Sequence, residues 1–369
     1  MILKSLRIAG VTALSALIAL NPIAASACTS FLLKAENGDA VVGRTMEFGL
    51  PLNSQLTIVP RNLAIKAVGP DGNAGTGLAY TTKYGVVGMN GLGLPDLVDG
   101  MNEKGLYAGL LFFPGLAEFQ DVSPAEAANS IASYQLATYI LTQFATIEDV
   151  KAGLPKIKVS RAPQAVFKGP IPIHVTVHDA SGKSIVIEYI GGQLQITDNP
   201  TTVMTNAPSI SWHLANLAQY ANATGNPGAS FSINGTTYQP WSSGTGMNGL
   251  PGDLSAATRF LRAAFLVANA PKTKDAAEAM GISWHFLNQF DIPPGAVRTA
   301  AGGRAGGGVA GYEITEWTSV SDLKNGLYQI RTYGDQQTRQ VSLKSVDLDA
   351  KAIRFIPVDQ KLGVLDVSK

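Results

Sequence analysis

The chain has 369 residues, with 28 Lys and Arg against 27 Asp and Glu and a formal net charge of +1. Without the first 27 residues, which hold Lys4 and Arg7 and no acidic residue, 26 basic groups face 27 acidic ones. A near-neutral chain with no Lys/Arg-rich run argues against nucleic acid or another polyanion as its partner.

The chain opens MILKSLRIAGVTALSALIALNPIAASA. Lys4 and Arg7 form a basic start, residues 8–20 are mostly apolar, and Ala25-Ser26-Ala27 is an A-x-A cleavage site. Residues 1–27 are therefore expected to be a cleaved signal peptide, leaving one periplasmic or secreted domain over 28–369. No later run is apolar for long enough to span a bilayer. A lipobox is the competing pattern. It would acylate Cys28 and make a lipid-anchored, inactive binding protein, but Ala25 stands where Leu is usual.

Strand-like runs dominate the next part, at 29–33, 40–44, 56–59, 84–89 and 107–113. Turn residues such as Asn37-Gly38 and those of 102–105 separate several of them. Ser123-Pro124-Ala125-Glu126 is a capping box with Pro at the first helical position, and predicts a helix to about Phe144. Thr146 to Asp149 opens a shorter one. A meander is expected at 174–179, 184–189 and 193–197, then helices at 258–268 and 275–280. A hairpin at 327–333 and 338–343 turns around Gly334-Asp335. Strands, helices, strands, helices and strands in blocks predict an α+β fold of antiparallel sheets covered by helices, rather than an alternating βαβ chain.

Several signals carry no function. Gly244 to Gly249 fits G-x-G-x-x-G but lacks the strand before it and the helix after it. The GGRAGGG run at 302–308 lacks the Lys-Ser/Thr of a P-loop. His174, His178, His213 and His285 form no metal motif, so neither a metal nor an organic cofactor is implied.

Cys28 is the only cysteine, so no internal disulfide can form. At a mature N-terminus it would carry a thiol of pKa about 8.5 and an α-amine of about 7.7–8.0. The amine can take the thiol proton, so nucleophile and base need no separate histidine.

The segment CTSFLLKAENGDAVVGRTMEFG, 28–49, resembles the mature start of the choloylglycine hydrolase family. That family contains bile salt hydrolases and penicillin V acylases, which are N-terminal-nucleophile amidohydrolases. The match continues in order through KYGVVGMN (83–90), DGMNEKGLYAGLLFFP (99–114), VMTNAPSISWHLANLAQY (203–220) and GTGMNGLPGDLSAATRFLRAAFL (244–266).

The resemblance implies a four-layer αββα sandwich. It implies Cys28 as nucleophile, Arg44 beside the thiol, Asn206 as an oxyanion-hole donor and Arg259 as a second active-site arginine. Two positions depart from the family. Glu47 replaces the usual Asp, whose implied role is to hydrogen-bond the α-amine. Phe112 stands where bile salt hydrolases have Asn and many penicillin V acylases have Tyr, and only its backbone N–H can serve the oxyanion hole. The aromatic at 112 favours penicillin V acylase-like cleavage of a hydrophobic acyl group from a small polar amine. Conjugated bile salts and N-acyl homoserine lactones offer the same bond. Met46, Phe48, Leu111 and Phe113 are candidate acyl-pocket residues, and a homotetramer is implied as the assembly.

Overall fold

The structure is a computed structural model that describes residues 28–299, 311–358 and 366–368. The expected leader and the 302–308 run lie outside the described residues.

Asn37 and Gly38 make the first turn. Gly38 takes a φ of +86°, open to glycine at little cost, and Asn37 Oδ1 accepts the Asp39 N–H. The turn folds β2 (Ala40–Phe48) back on β1 (Cys28–Lys34), with Cys28 directly opposite Met46. Among the described residues these two strands sit inside a seven-stranded sheet, ordered Val203–Met204, β1, β2, Gly311–Asp322, Leu327–Thr332 and Arg339–Ser342, with Val297–Thr299 beside the long strand. A second sheet of eight strands runs Gln193–Asp198, Ser184–Ile190, Ile173–Asp179, Leu106–Phe112, Leu97–Asn102, Val86–Asn90, Gln55–Val59 and Arg354–Pro357. Every pairing in both sheets is antiparallel.

Among the described residues, five α-helices cover the outer faces. α1 (Leu136–Gln143) and α2 (Ile147–Gly153) lie on the second sheet, and α4 (Ala256–Ala268) and α5 (Ala276–Leu287) on the first, with α3 (Ile210–Leu217) against α4. The layers are therefore helix, sheet, sheet, helix, the αββα order implied by the resemblance. Phe31, Val42, Met89, Tyr107 and Leu111 belong to the buried core that includes the space between the sheets. Ile131, Ile140, Val175 and Ile187 belong to the core under α1 and α2.

The helix expected from Ser123 to about Phe144 is not continuous. The capping box forms, with Ser123 N donating to Glu126 Oε2 at 3.1 Å, but it opens only a 3-10 turn, Pro124–Asn129. Ser130–Ala132 is a strand paired in parallel with Lys158–Ser160, and α1 begins at Leu136. Burying Ile131 in a strand pair wins over helix propagation here. In the other direction, the helix expected over 275–280 extends to Leu287, with Asp275 capping two backbone N–H groups.

Candidate active site

Side chains alternate across a strand, so β1 and β2 present different residues to their two faces. Cys28, Arg44, Met46 and Phe48 face the second sheet, whereas Thr29 and Glu47 face the helix layer and Arg259 of α4. A β-bulge in the neighbouring strand keeps both faces filled. Glu47 pairs with Thr315 and Met46 with Trp317, leaving Glu316 as the extra residue. Without it, Thr315 and Trp317 would share a face. With it, Thr315 reaches Glu47 while Trp317 lies with Arg44.

The Cys28 thiol is fully buried. Its Sγ lies 3.6 Å from Met46 Sδ and 3.8 Å from Arg44 Nη2. Burial pushes the thiol pKa up. The Arg44 charge works against that, as does the Glu47 main-chain N–H, which donates to the sulfur.

Arg44 is itself held by both terminal nitrogens. Its Nη1 donates to Val98 O at 2.9 Å, its Nη2 to Leu110 O at 2.5 Å, and its guanidinium lies 5.2 Å from the Trp317 ring centroid. Asp99 forms an ion pair with it at 3.9 Å. That buried carboxylate also accepts from Tyr107 Oη at 3.0 Å, Tyr328 Oη at 2.5 Å and Ser319 Oγ at 2.8 Å. Burial alone would depress the Arg44 pKa, but Cys28, Tyr107 and Asp99 together hold it above its ordinary value. Gly109 leaves room for this group, because a Cβ there would come within 2.9 Å of Tyr107 Oη and 3.4 Å of Arg44 Nη1.

On the helix face, Arg259 Nη1 donates to Cys28 O and to Thr29 Oγ1 at 3.0 Å, and its Nη2 to Asn206 Oδ1 at 2.8 Å. The Cys28 nitrogen donates to the same Asn206 Oδ1 at 2.7 Å. With its oxygen so occupied, the Asn206 amide turns its Nδ2 to Phe112 O at 2.9 Å. Glu47 accepts from Thr315 Oγ1 at 3.1 Å. Burial raises its pKa to about 8, against the opposing pull of Arg259, and keeps the carboxyl protonated at neutral pH.

Asn206 sits in a turn that buried histidines hold. His174 Nε2 lies 2.9 Å from Thr205 O and His213 Nε2 2.9 Å from Asn206 O. Glu188 Oε1 bridges His174 Nδ1, at 3.2 Å, to the Ile210 N–H at the start of α3. Two of the four histidines thus fix the loop that carries Asn206.

A cleft with about 590 Å³ of empty space, part of it open to solvent, reaches Cys28. Phe48, Phe112 and Phe167 form an aromatic group in its wall, each pair of rings 6.1 Å apart. Met46 lines it as well. Leu111 and Phe113 do not, which corrects the sequence expectation: their neighbours Leu110 and Phe112 do, while Phe113 stacks on His174 at 4.4 Å. Phe113 N donates to Pro172 O, so antiparallel alternation turns the Phe112 N–H to the opposite edge of its strand, away from that partner.

The structure thus brings Cys28, Arg44, Glu47, Phe112, Asn206 and Arg259 together from segments up to 231 residues apart. Sequence reasoning missed Asp99, Glu188 and Thr315. Asp99 lies inside the DGMNEKGL block, but nothing in that block says that three hydroxyl donors would meet it.

Comparison with known proteins agrees with this geometry. The profile of the linear amide C–N hydrolases of the choloylglycine hydrolase family matches residues 28–355. The bile salt hydrolase/transferase of Clostridium perfringens is 30% identical over 344 residues, covering 92% of this chain and 100% of that protein. A crystal structure of the conjugated bile acid hydrolase from Clostridium perfringens superposes with a TM-score of 0.80 at 29% identity, over 92% of this chain and 100% of that one. The penicillin V acylase of Pectobacterium atrosepticum is 30% identical over 258 residues, covering 67% of this chain and 61% of that protein.

Proposed function

Because the chain belongs to the choloylglycine hydrolase family of linear amide C–N hydrolases, we propose that it is an exported N-terminal-cysteine amidohydrolase. Its reaction is penicillin V acylase-like, cleaving a hydrophobic acyl group from a small polar amine. The observation that carries this reading is the cleft itself, whose wall of Phe48, Phe112 and Phe167 suits an aryl acyl group and ends at the only thiol of the chain.

Removal of residues 1–27 frees the Cys28 amine, which takes the thiol proton. The thiolate, favoured by Arg44, attacks the amide carbonyl, and the C=O electron pair moves onto oxygen. The second hydrogen of Asn206 Nδ2 and the Phe112 N–H stabilise that oxyanion. Collapse breaks the C–N bond, the protonated α-amine gives its proton to the leaving amine, and an acyl thioester remains on Cys28. Water, deprotonated by the same amine, then releases the acid. Arg259 and Asn206 Oδ1 position the Cys28 main chain throughout, with Glu47 hydrogen-bonded to Thr315 on the same face.

A second reading, hydrolysis of conjugated bile salts, is favoured by the full-length match to a bile salt hydrolase/transferase. Amine release from penicillin V, glycocholate and a long-chain acyl homoserine lactone, with Cys28→Ala as blank, separates the branches. Silence on all three would sink the proposal.

The same proposal includes export and assembly. No helix among the described residues is long and apolar enough to cross a membrane. An intact mass starting at Cys28 without added lipid is expected, whereas a lipid adduct would favour the anchored alternative. Homotetramer formation would draw on the hairpin of Phe231–Ile233 and Thr236–Tyr238, where Phe231, Tyr238 and the following Trp241 are exposed, and light scattering of the mature chain reads it.

A further inference from the structure

The cleft is apolar except at two places besides Cys28. Asp96 and Tyr134 both face it, among Leu94, Leu97 and Ile171. Asp96 is half-buried, and no Lys or Arg pairs with it among the described residues. Its one side-chain partner is Gln135, whose Nε2 lies 3.3 Å from Asp96 Oδ1. The orientation of Gln135 is fixed by its other end. Its Oε1 accepts the Val68 N–H at 2.9 Å and the Ala132 N–H at 3.4 Å, so the Nε2 end must face Asp96. Asp96 therefore meets a donor on Oδ1, and its carboxyl is part of the cleft lining. It stands in the bend just before Leu97–Asn102, two residues from Val98, whose carbonyl accepts from Arg44.

A carboxylate here would be partly desolvated and lack a cation, which disfavours its charged form. Burial raises the Asp96 pKa to about 7, with only Gln135 opposing it. The titratable groups facing it are Tyr80 and Tyr134, both raised by burial and so neutral across the useful pH range. Below about pH 7 this favours the carboxylic acid, a hydrogen-bond donor set in an otherwise greasy wall.

We infer that the cleft selects acyl groups that are apolar along most of their length and carry a keto or hydroxyl oxygen remote from the scissile carbonyl, which the Asp96 carboxyl donates to. This rests on the cleft being the acyl pocket proposed above. It adds a specificity-determining residue that lies outside the catalytic group and makes no contact with the reacting atoms.

The test reads binding, not turnover, so that it does not depend on the reaction. The mature Cys28→Ser variant is titrated calorimetrically with N-octanoylglycine and with N-(7-oxooctanoyl)glycine, which differ by one acceptor oxygen. The keto ligand is expected to bind ~10-fold tighter at pH 6, the scale of a hydrogen bond to an otherwise stranded polar group. Asp96→Leu in the same background should bring the ratio to about one by removing that bond, while Asp96→Asn, still a donor, should keep it. The ratio should also fall between pH 6 and pH 8.5 in the Cys28→Ser variant and stay level with Asn. A ratio near one in Cys28→Ser, or one that Asp96→Leu leaves unchanged, overturns the inference. Turnover of both amides by the mature chain with Cys28 intact is scored separately. A keto preference in binding, with no amine released from these amides or from penicillin V, glycocholate and the acyl homoserine lactone, would sink the amidohydrolase reading and leave this one standing.

Discussion

Two fully buried arginines lie on opposite faces of the same strand pair, and their surroundings differ. Arg44, between the sheets, has the Cys28 sulfur, the Asp99 carboxylate and two main-chain oxygens around it, and Cys28, Tyr107 and Asp99 hold its pKa up. Arg259, under the helices, is spent on main-chain and amide oxygens at Cys28 and Asn206, and burial pulls its pKa down despite Glu47 and Glu313. The sulfur and the main chain of one residue are thus served by different cations. Charge at the thiol and geometry of the N-terminus can be disturbed separately.

Arg44→Gln should break the charge side. A cation beside an ionising group is worth ~1–3 pKa units, so iodoacetamide should alkylate Cys28 roughly 10- to 1,000-fold more slowly at pH 7. Arg259→Gln should break the geometric side. Misplacing the nucleophile by about 1 Å costs on the order of 100-fold in turnover, while the pH midpoint of alkylation moves much less than in Arg44→Gln. Equal midpoint shifts in the two variants would erase the distinction between them.

Asp99→Asn sharpens the contrast at smaller amplitude. The amide keeps contacts to Tyr107, Tyr328 and Ser319 but removes the charge that orients Arg44. Turnover should fall by roughly 10-fold, the scale of one charge-assisted hydrogen bond, with KM little changed. A loss confined to thermal stability would make Asp99 a purely structural residue.

Glu47→Gln should have the smallest effect at neutral pH, because Glu47 is already neutral below about 8. The sign of its stability effect follows from linkage. Between its unfolded pKa of ~4.3 and about 8 the folded state keeps a proton that the unfolded state has lost, so stability falls as pH rises through that window. Glu47→Gln should flatten the decline in melting temperature from pH 5 to pH 8.5. An unchanged slope would mean that Glu47 is ionised in the folded chain.

The site and its scaffold differed in how well the sequence revealed them. Cys28, Arg44, Asn206 and Arg259 lie in ordered blocks whose residue types match the chemistry, and they converge. The long central strand Gly311–Asp322 escaped notice because its buried residues include Glu313, Thr315, Ser319 and Ser321, so hydrophobic periodicity marks no core face there. On one side it pairs with the nearby Leu327–Thr332, but on the other its partner is β2, with Thr315 beside Glu47 268 residues away, and pairing at that range leaves no local signal. The 123–144 segment failed differently. A capping box is a local signal, and the strand pairing of Ser130–Ala132 with Lys158–Ser160 overrode it. Leu110 and Phe112, not Leu111 and Phe113, line the cleft, and the sequence does not separate the two pairs because a strand's phase cannot be read without knowing which face it buries.

The most direct measurement is the intact mass of the mature chain after acid quench within milliseconds of mixing with phenoxyacetyl amide substrate. The expected result is one phenoxyacetyl increment, mapped by peptide digestion to Cys28 and absent from Cys28→Ala, appearing and decaying at the rate of turnover. Amine release that continues in Cys28→Ala, or an increment carried by any other residue, would contradict the assignment of Cys28 as the nucleophile.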